Sequence, residues 1–195
     1  MSCKCLGLLI VIVVAVGCQS ATAPTALPVS STESTSLALT PGPDASTNGG
    51  GQFLLLNTID AKFAFTANAG GAAGPTGRFH QSFVFQDELV EFYGRVTCVS
   101  VDPTNRRAWV GGIVTANNST HAAFTTARHQ PGRDIWFRVL DSGEGAGAAP
   151  DRTTTMGFEG DAGFITSLAY CEGQPWPDAD ARTWPVTAGN IQVRP

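Results

Sequence analysis

Ala61-Lys62-Phe63-Ala64-Phe65-Thr66 alternates with a period of two, and it puts Phe63 and Phe65 on one face. Successive side chains of a strand point to opposite sides of a sheet, so this segment reads as a strand with one buried face. The neighbouring segments repeat the pattern. Phe79, Phe83 and Phe85 share one face, while His80, Ser82 and Val84 share the other. The run from Leu89 to Val101 groups Phe92, Val96 and Cys98, and it ends at the turn signal Asp102-Pro103-Thr104-Asn105. Arg107 to Thr115 is then the return strand of a hairpin. Gly111-Gly112 within it implies a bulge or a close backbone approach.

Further strands are expected at His121–Arg128, Asp134–Leu140, Thr153–Phe158, Phe164–Cys171 and Asn190–Val193. In the second of these, Ile135, Phe137 and Val139 face one way and Asp134, Trp136 and Arg138 the other. No run has helical spacing. Eight or nine short strands with turns between them predict an all-β fold, a sandwich or a barrel, and a closed barrel would leave no exposed edges.

The ends of the chain read differently. One positive charge at Lys4 precedes an apolar run, Leu6 to Val16, which is shorter than the roughly 20 residues a bilayer span needs and has the length of a signal-peptide core. Ala15-Val16-Gly17-Cys18 resembles a lipobox, with Ala where Leu is usual at its first position. That resemblance implies cleavage before Cys18, diacylglycerol on its thiol and a membrane as partner; the alternative is an ordinary secretory peptide with a stray cysteine. Gln19 follows the cysteine, which in the usual lipoprotein sorting pattern implies the outer membrane if the cell has one. Gln19 to Gly51 is almost wholly Ser, Thr, Ala, Pro and Gly, too poor in apolar surface to offset ordering entropy. The expected organisation is a signal peptide at 1–17, a lipidated tether at 18–51 and a β-domain at 52–195.

Cysteine usage fits export. Cys3 and Cys5 leave with the signal peptide and Cys18 carries lipid, so Cys98 and Cys171 remain as an even pair in an oxidising compartment. A disulfide between them is the expectation, and two separate buried thiols the alternative. The 195 residues carry 12 Lys+Arg against 16 Asp+Glu, a net charge of -4, so there is no basic field for nucleic acid or anionic lipid. A monomer is expected.

Ala61–Phe65, Pro75-Thr76-Gly77, Gly94-Arg95-Val96-Thr97, Val139 to Gly145 and Gly189-Asn190-Ile191-Gln192-Val193 together resemble a β-domain that recurs in bacterial secreted and cell-surface proteins. The resemblance spans about 51–195 and implies fold and location, but no activity. The cysteine pair and the Trp-Pro segment around Trp176 lie outside its pattern.

Several groups could carry chemistry. His121 and His129, in one strand, would stand roughly 27 Å apart, too far to share a metal, and all three histidines are expected at the surface near strand ends. His80 and Ser82 lie about 6.5 Å apart on one strand face, beyond direct contact as base and nucleophile. The loop Asp141-Ser142-Gly143-Glu144-Gly145 through Pro150-Asp151 gathers Asp141, Glu144 and Asp151 on pliant backbone, a set of oxygen ligands that calcium could use; the alternative is a solvated loop. Glu159 and Asp161 are remoter options. Trp176 and Trp184, flanked by prolines, would form a platform for sugar rings or a partner, or else pack over an open barrel end. The leading expectation is a non-enzymatic binding or envelope-structural domain. A lipid-anchored enzyme acting on envelope polymers and a small-ligand carrier barrel are the alternatives.

Overall fold

A computed structural model of the chain describes residues 45–177 and 182–195. Cys18, the signal segment and most of the expected tether lie outside them. Nine strands form one antiparallel sheet: β1 (Ser46–Leu55), β2 (Ile59–Asn68), β3 (Thr76–Phe85), β4 (Glu88–Asp102), β5 (Arg107–Asn117), β6 (Asp134–Leu140), β7 (Arg152–Thr153), β8 (Gly157–Phe158) and β9 (Trp184–Arg194). Their order is β5-β4-β3-β2-β1-β9-β7-β6-β8, and β6 also pairs with β5. Eight strands therefore close into a barrel, with β8 as an extra strand on β6. The choice between sandwich and barrel falls to the barrel.

The inward faces fill the interior. Phe65 and Phe79 both meet Phe137 edge to face, with ring centroids 5.1 and 5.5 Å apart, and Phe53, Val90, Val110, Ile135, Val139 and Ile191 complete the core. An eight-stranded barrel is just wide enough for side chains to fill it. The Gln86-Asp87 turn has positive φ at both positions, the twist that joins β3 to β4 in two residues.

Four expectations need correction. The first concerns the tether, which does not reach residue 51, because β1 starts at Ser46 and pairs with β2 on one side and β9 on the other. Its glycines serve close packing. A Cβ on Gly49 would lie 2.9 Å from both Phe65 and Ile191, and one on Gly51 would lie 2.0 Å from the Ala188 carbonyl oxygen. The second is Phe164–Cys171, which is not a strand but leads into helix α1 (Ser167–Gly173), capped by Thr166, whose hydroxyl accepts from Ala169 N–H. Third, 121–128 forms two 3-10 turns, Ala122–Phe124 and Ala127–His129.

The fourth is Thr153–Phe158, which splits into β7 and β8 on the same edge of β6. The buried Gln81 amide reaches across the barrel to satisfy the gap: its Nε2 donates to Thr154 O at 3.2 Å, and its Oε1 accepts from Met156 N–H at 3.0 Å.

Helix α1 packs on the outer wall. A register shift between Val96 and Cys98 keeps Val96 and Val99 in the core and turns Cys98 outward, away from the face expected of it. Cys98 there bonds to Cys171 of α1 as a disulfide. Gly111 makes the room, since a Cβ would sit 2.5 Å from Cys98 Sγ and 2.8 Å from Ser167. A second buried cluster, Trp109, Trp136 and Tyr170, fills the space beneath the helix. Trp136 and Tyr170 stack with centroids 5.4 Å apart. Burial pushes the Tyr170 hydroxyl up to about 12.

Candidate functional site

The strand register gathers polar side chains from distant parts of the chain. Opposed residues in an antiparallel ladder share a face, so pairings read across the barrel define lateral rows. One outward row runs Gln192–Asn48–Thr66–Arg78–Arg95 from β9 to β4. The next runs Asn190–Gly50–Ala64–His80–Tyr93, and a third Gln52–Lys62–Ser82–Glu91. The middle row is low where Gly50 and Ala64 have little or no side chain, and the side chains of the first row stand above it. The result is a trough of about 990 Å3 on the outer wall. It crosses five strands, and their four spacings of ~4.8 Å make it ~19 Å long.

One end of the trough is an aromatic step. His80 and Tyr93 stack at 4.4 Å, and Glu91 anchors both: its Oε1 lies 3.1 Å from His80 Nε2 and 3.2 Å from the Tyr93 hydroxyl that donates to it. Asn118 donates to the other carboxylate oxygen at 2.9 Å, and this bond foremost holds the Glu91 carboxyl below its usual range. His80 is thus paired with a carboxylate, and Ser82 stands opposite Glu91 rather than beside the imidazole. At the other end Asn190 and Gln192 donate to Glu144 at 3.3 and 3.0 Å.

The acidic loop is spent on structure. Asp151 is 6% exposed; its Oδ1 accepts from Ser142 N–H at 2.9 Å and its Oδ2 from Ile191 N–H at 2.7 Å. Asp141 accepts from Gly143 N–H at 2.8 Å and Val193 N–H at 3.1 Å. Asp161 accepts from Phe158 N–H and pairs with Arg128. Asp141, Glu144 and Asp151 therefore fasten the loop to β9. Among the described residues no group of three or more His, Cys, Asp or Glu is placed to hold a metal ion.

The two tryptophans belong to different clusters. Trp184 packs on Phe53 at the edge of the barrel core, ring centroids 6.3 Å apart. Trp176 meets Trp109 edge to face in the cluster under α1, with the Arg107 guanidinium 4.4 Å over its ring. A smaller apolar hollow of about 190 Å3 opens at one barrel mouth between Leu55, Leu56, Ile59, Phe83 and Phe124.

His129 is not at the surface. It is 2% exposed, wedged against Phe158 at 4.4 Å, with Nδ1 2.9 Å from the Thr126 hydroxyl. Burial lowers its pKa below the ordinary 6.5. The unfolded chain then binds the extra proton more readily, so this residue's contribution is full above about pH 6.5 and is lost as pH falls below it. Thermal unfolding between pH 7.5 and 5 shows that loss, and His129→Leu flattens it. Parallel pH profiles for the two proteins would refute the assignment.

Comparison of the chain with protein-family models, curated proteins and solved structures found no match.

Proposed function

We propose that the chain is an exported lipoprotein, held to a membrane by lipid on Cys18, whose barrel binds a ligand in the outer-wall trough without transforming it. The trough carries the reading: two register rows bring amide, hydroxyl, imidazole, phenol and guanidinium groups around a floor of small residues. Concave surfaces with a few converging polar groups are the usual form of a binding site. The hydroxyl in contact with the histidine–carboxylate pair there is the Tyr93 phenol, which stacks on the imidazole, and no serine or threonine hydroxyl among the described residues bonds to either side chain, so binding is the better use of the pair. The lipobox resemblance and the exported cysteine pattern support the location, and the packed phenylalanine interior favours a wall site over a carrier barrel.

Gly50→Trp tests the trough. A Cβ at Gly50 meets only ordinary contacts, 3.5 Å to Phe63 O and 3.8 Å to Ala64, and β-strands favour tryptophan over glycine. The variant therefore melts no lower than wild type. On a printed panel of oligosaccharides and peptides, the detergent-purified full chain retains ligands that Gly50→Trp binds at least about tenfold more weakly, ~1.4 kcal/mol. Equal retention of every ligand by both proteins refutes the trough. Cys18→Ser tests the anchor by moving the chain from the membrane to the soluble fraction, and continued membrane retention refutes it.

A further inference from the structure

The cationic end of the trough has a property that its polar floor does not explain. Arg78, which lines the trough, and Arg95, just beyond its rim, stand directly opposite each other on β3 and β4, both exposed and on the same face. Like charges in that position repel, and sheets ordinarily avoid the arrangement. Neither guanidinium has a hydrogen-bond or ion-pair partner among the described residues, in a chain whose net charge is -4 and in which carboxylates outnumber cations. The acidic groups on the same wall are already engaged: Asp134, in the same row beyond Ile113, accepts from Ser167, and Glu91 accepts from His80, Tyr93 and Asn118. Two forked donors on adjacent strands, ~5 Å apart, suit one carboxylate, sulfate or phosphate group set between them.

Resting on the trough reading above, we infer that the ligand is an anionic glycan whose acidic group seats between Arg78 and Arg95. The rest of the row supports a sugar over a peptide. Thr66, Asn48 and Gln192 continue the line from the arginines with hydroxyl and amide groups, which match the hydroxyl edges of sugar rings. Tyr93, 37% exposed and stacked on His80, offers a ring face beside the same line. Peptides commonly dock by adding a strand to a sheet edge, and a barrel closed through β5 and β6 offers no long edge for that. The β9 end holds the Glu144 carboxylate and the Arg194 guanidinium, both engaged with Gln192, whereas the two arginines at the β4 end have no partner among the described residues, so the acidic group enters at the β4 end.

Titration of the detergent-purified full chain with four polymers of matched length tests this: dextran, carboxymethyl dextran, dextran sulfate and poly-glutamate. The inference expects the two charged dextrans to bind at least about tenfold more tightly than the neutral one and than poly-glutamate, with a marked salt dependence. Arg78→Gln and Arg95→Gln each remove that advantage while leaving the melting temperature unchanged or raised. Gly50→Trp abolishes the residual binding to neutral dextran as well. Neutral dextran binding as tightly as the charged forms, still sensitive to Gly50→Trp, overturns the anion subsite and leaves the trough standing. Poly-glutamate binding as tightly as dextran sulfate overturns the sugar assignment in favour of an acidic peptide. Binding by none of the four overturns the inference, and an oligosaccharide panel also insensitive to Gly50→Trp removes the trough with it.

Discussion

Replacing Cys98 and Cys171 together by alanine lowers the unfolding free energy by about 4 kcal/mol. The disulfide spans 73 positions, and a loop of that length forfeits much entropy in the unfolded chain when it is closed. The native-state consequence is local. Helix α1 has seven residues, too few to be helical alone, so it depends on its docking. Among the contacts that dock it are the disulfide, the Trp136–Tyr170 stack, and Asp134, whose Oδ1 accepts from Ser167 N–H at 2.7 Å and Oγ–H at 2.6 Å. Without the first, the other two hold a frayed segment, and the apolar faces of Trp109 and Trp136 become accessible on the outer wall. Thermal unfolding with and without reductant measures the loss, which should lower the melting temperature by roughly 10 °C. Tryptophan fluorescence should shift to longer wavelength before global unfolding. A loss below about 1 kcal/mol would mean that packing alone holds the helix.

That same corner marks where sequence reasoning stopped. Alternation located β2, β3, β4 and β6 because each has one face in the barrel core, which imposes a period of two on its apolar residues, and the turn at Asp102–Asn105 located β5 as the return strand. It failed for β1, whose Gly49-Gly50-Gly51 resembles linker composition. Gly49 and Gly51 are required by close neighbours across the sheet, Ile191 and Ala188, which are more than 130 positions away. It failed for Phe164–Cys171 because a short apolar run suits a strand or a docked helix equally. Only the wall formed by Trp109 and Trp136 decides the matter. The inward–outward reading of Cys98 failed at a single inserted residue, since a bulge reverses the alternation beyond it.

The trough was illegible for a related reason. Gln192, Asn48, Thr66, Arg78 and Arg95 are neighbours only through four successive registers, including the β1–β9 pairing that joins the barrel's first and last strands. The Gln86-Asp87 turn could have fixed the β3–β4 register, and with it the Arg78–Arg95 opposition. Nothing local announces the rest. The acidic loop shows the converse: carboxylates that look like cation ligands in sequence become acceptors for backbone N–H groups once β9 arrives beside them.

Asp151→Ala is therefore expected to cost about 3 kcal/mol whether or not calcium is present. The carboxylate bridges two backbone donors, Ser142 N–H and Ile191 N–H, in a site that is nearly closed to water. Charge-assisted bonds of this kind are roughly twice as strong as neutral ones, and removing the acceptor leaves two donors with nothing to replace it. Asp151→Asn does little better, because an amide can accept through only one of its two atoms and its NH2 would oppose the second N–H. The loss falls where the barrel is thinnest: β7 joins β9 through only Arg152↔Pro185 and Thr153↔Trp184, and Val186 N–H donates to Asp151 O at 2.8 Å beside them. Loosening that seam exposes the Trp184–Phe53 contact and lets β9 shift, which carries Asn190 and Gln192 out of the trough. The variant should thus lose ligand affinity as well as stability, although Asp151 does not line the site. Melting curves of wild type and Asp151→Ala in excess calcium and in chelator decide between a clip and a metal ligand. A clip gives curves that do not respond to calcium in either protein. A wild-type melting temperature that rises by several degrees in calcium, with the rise abolished in the variant, would restore calcium to this loop.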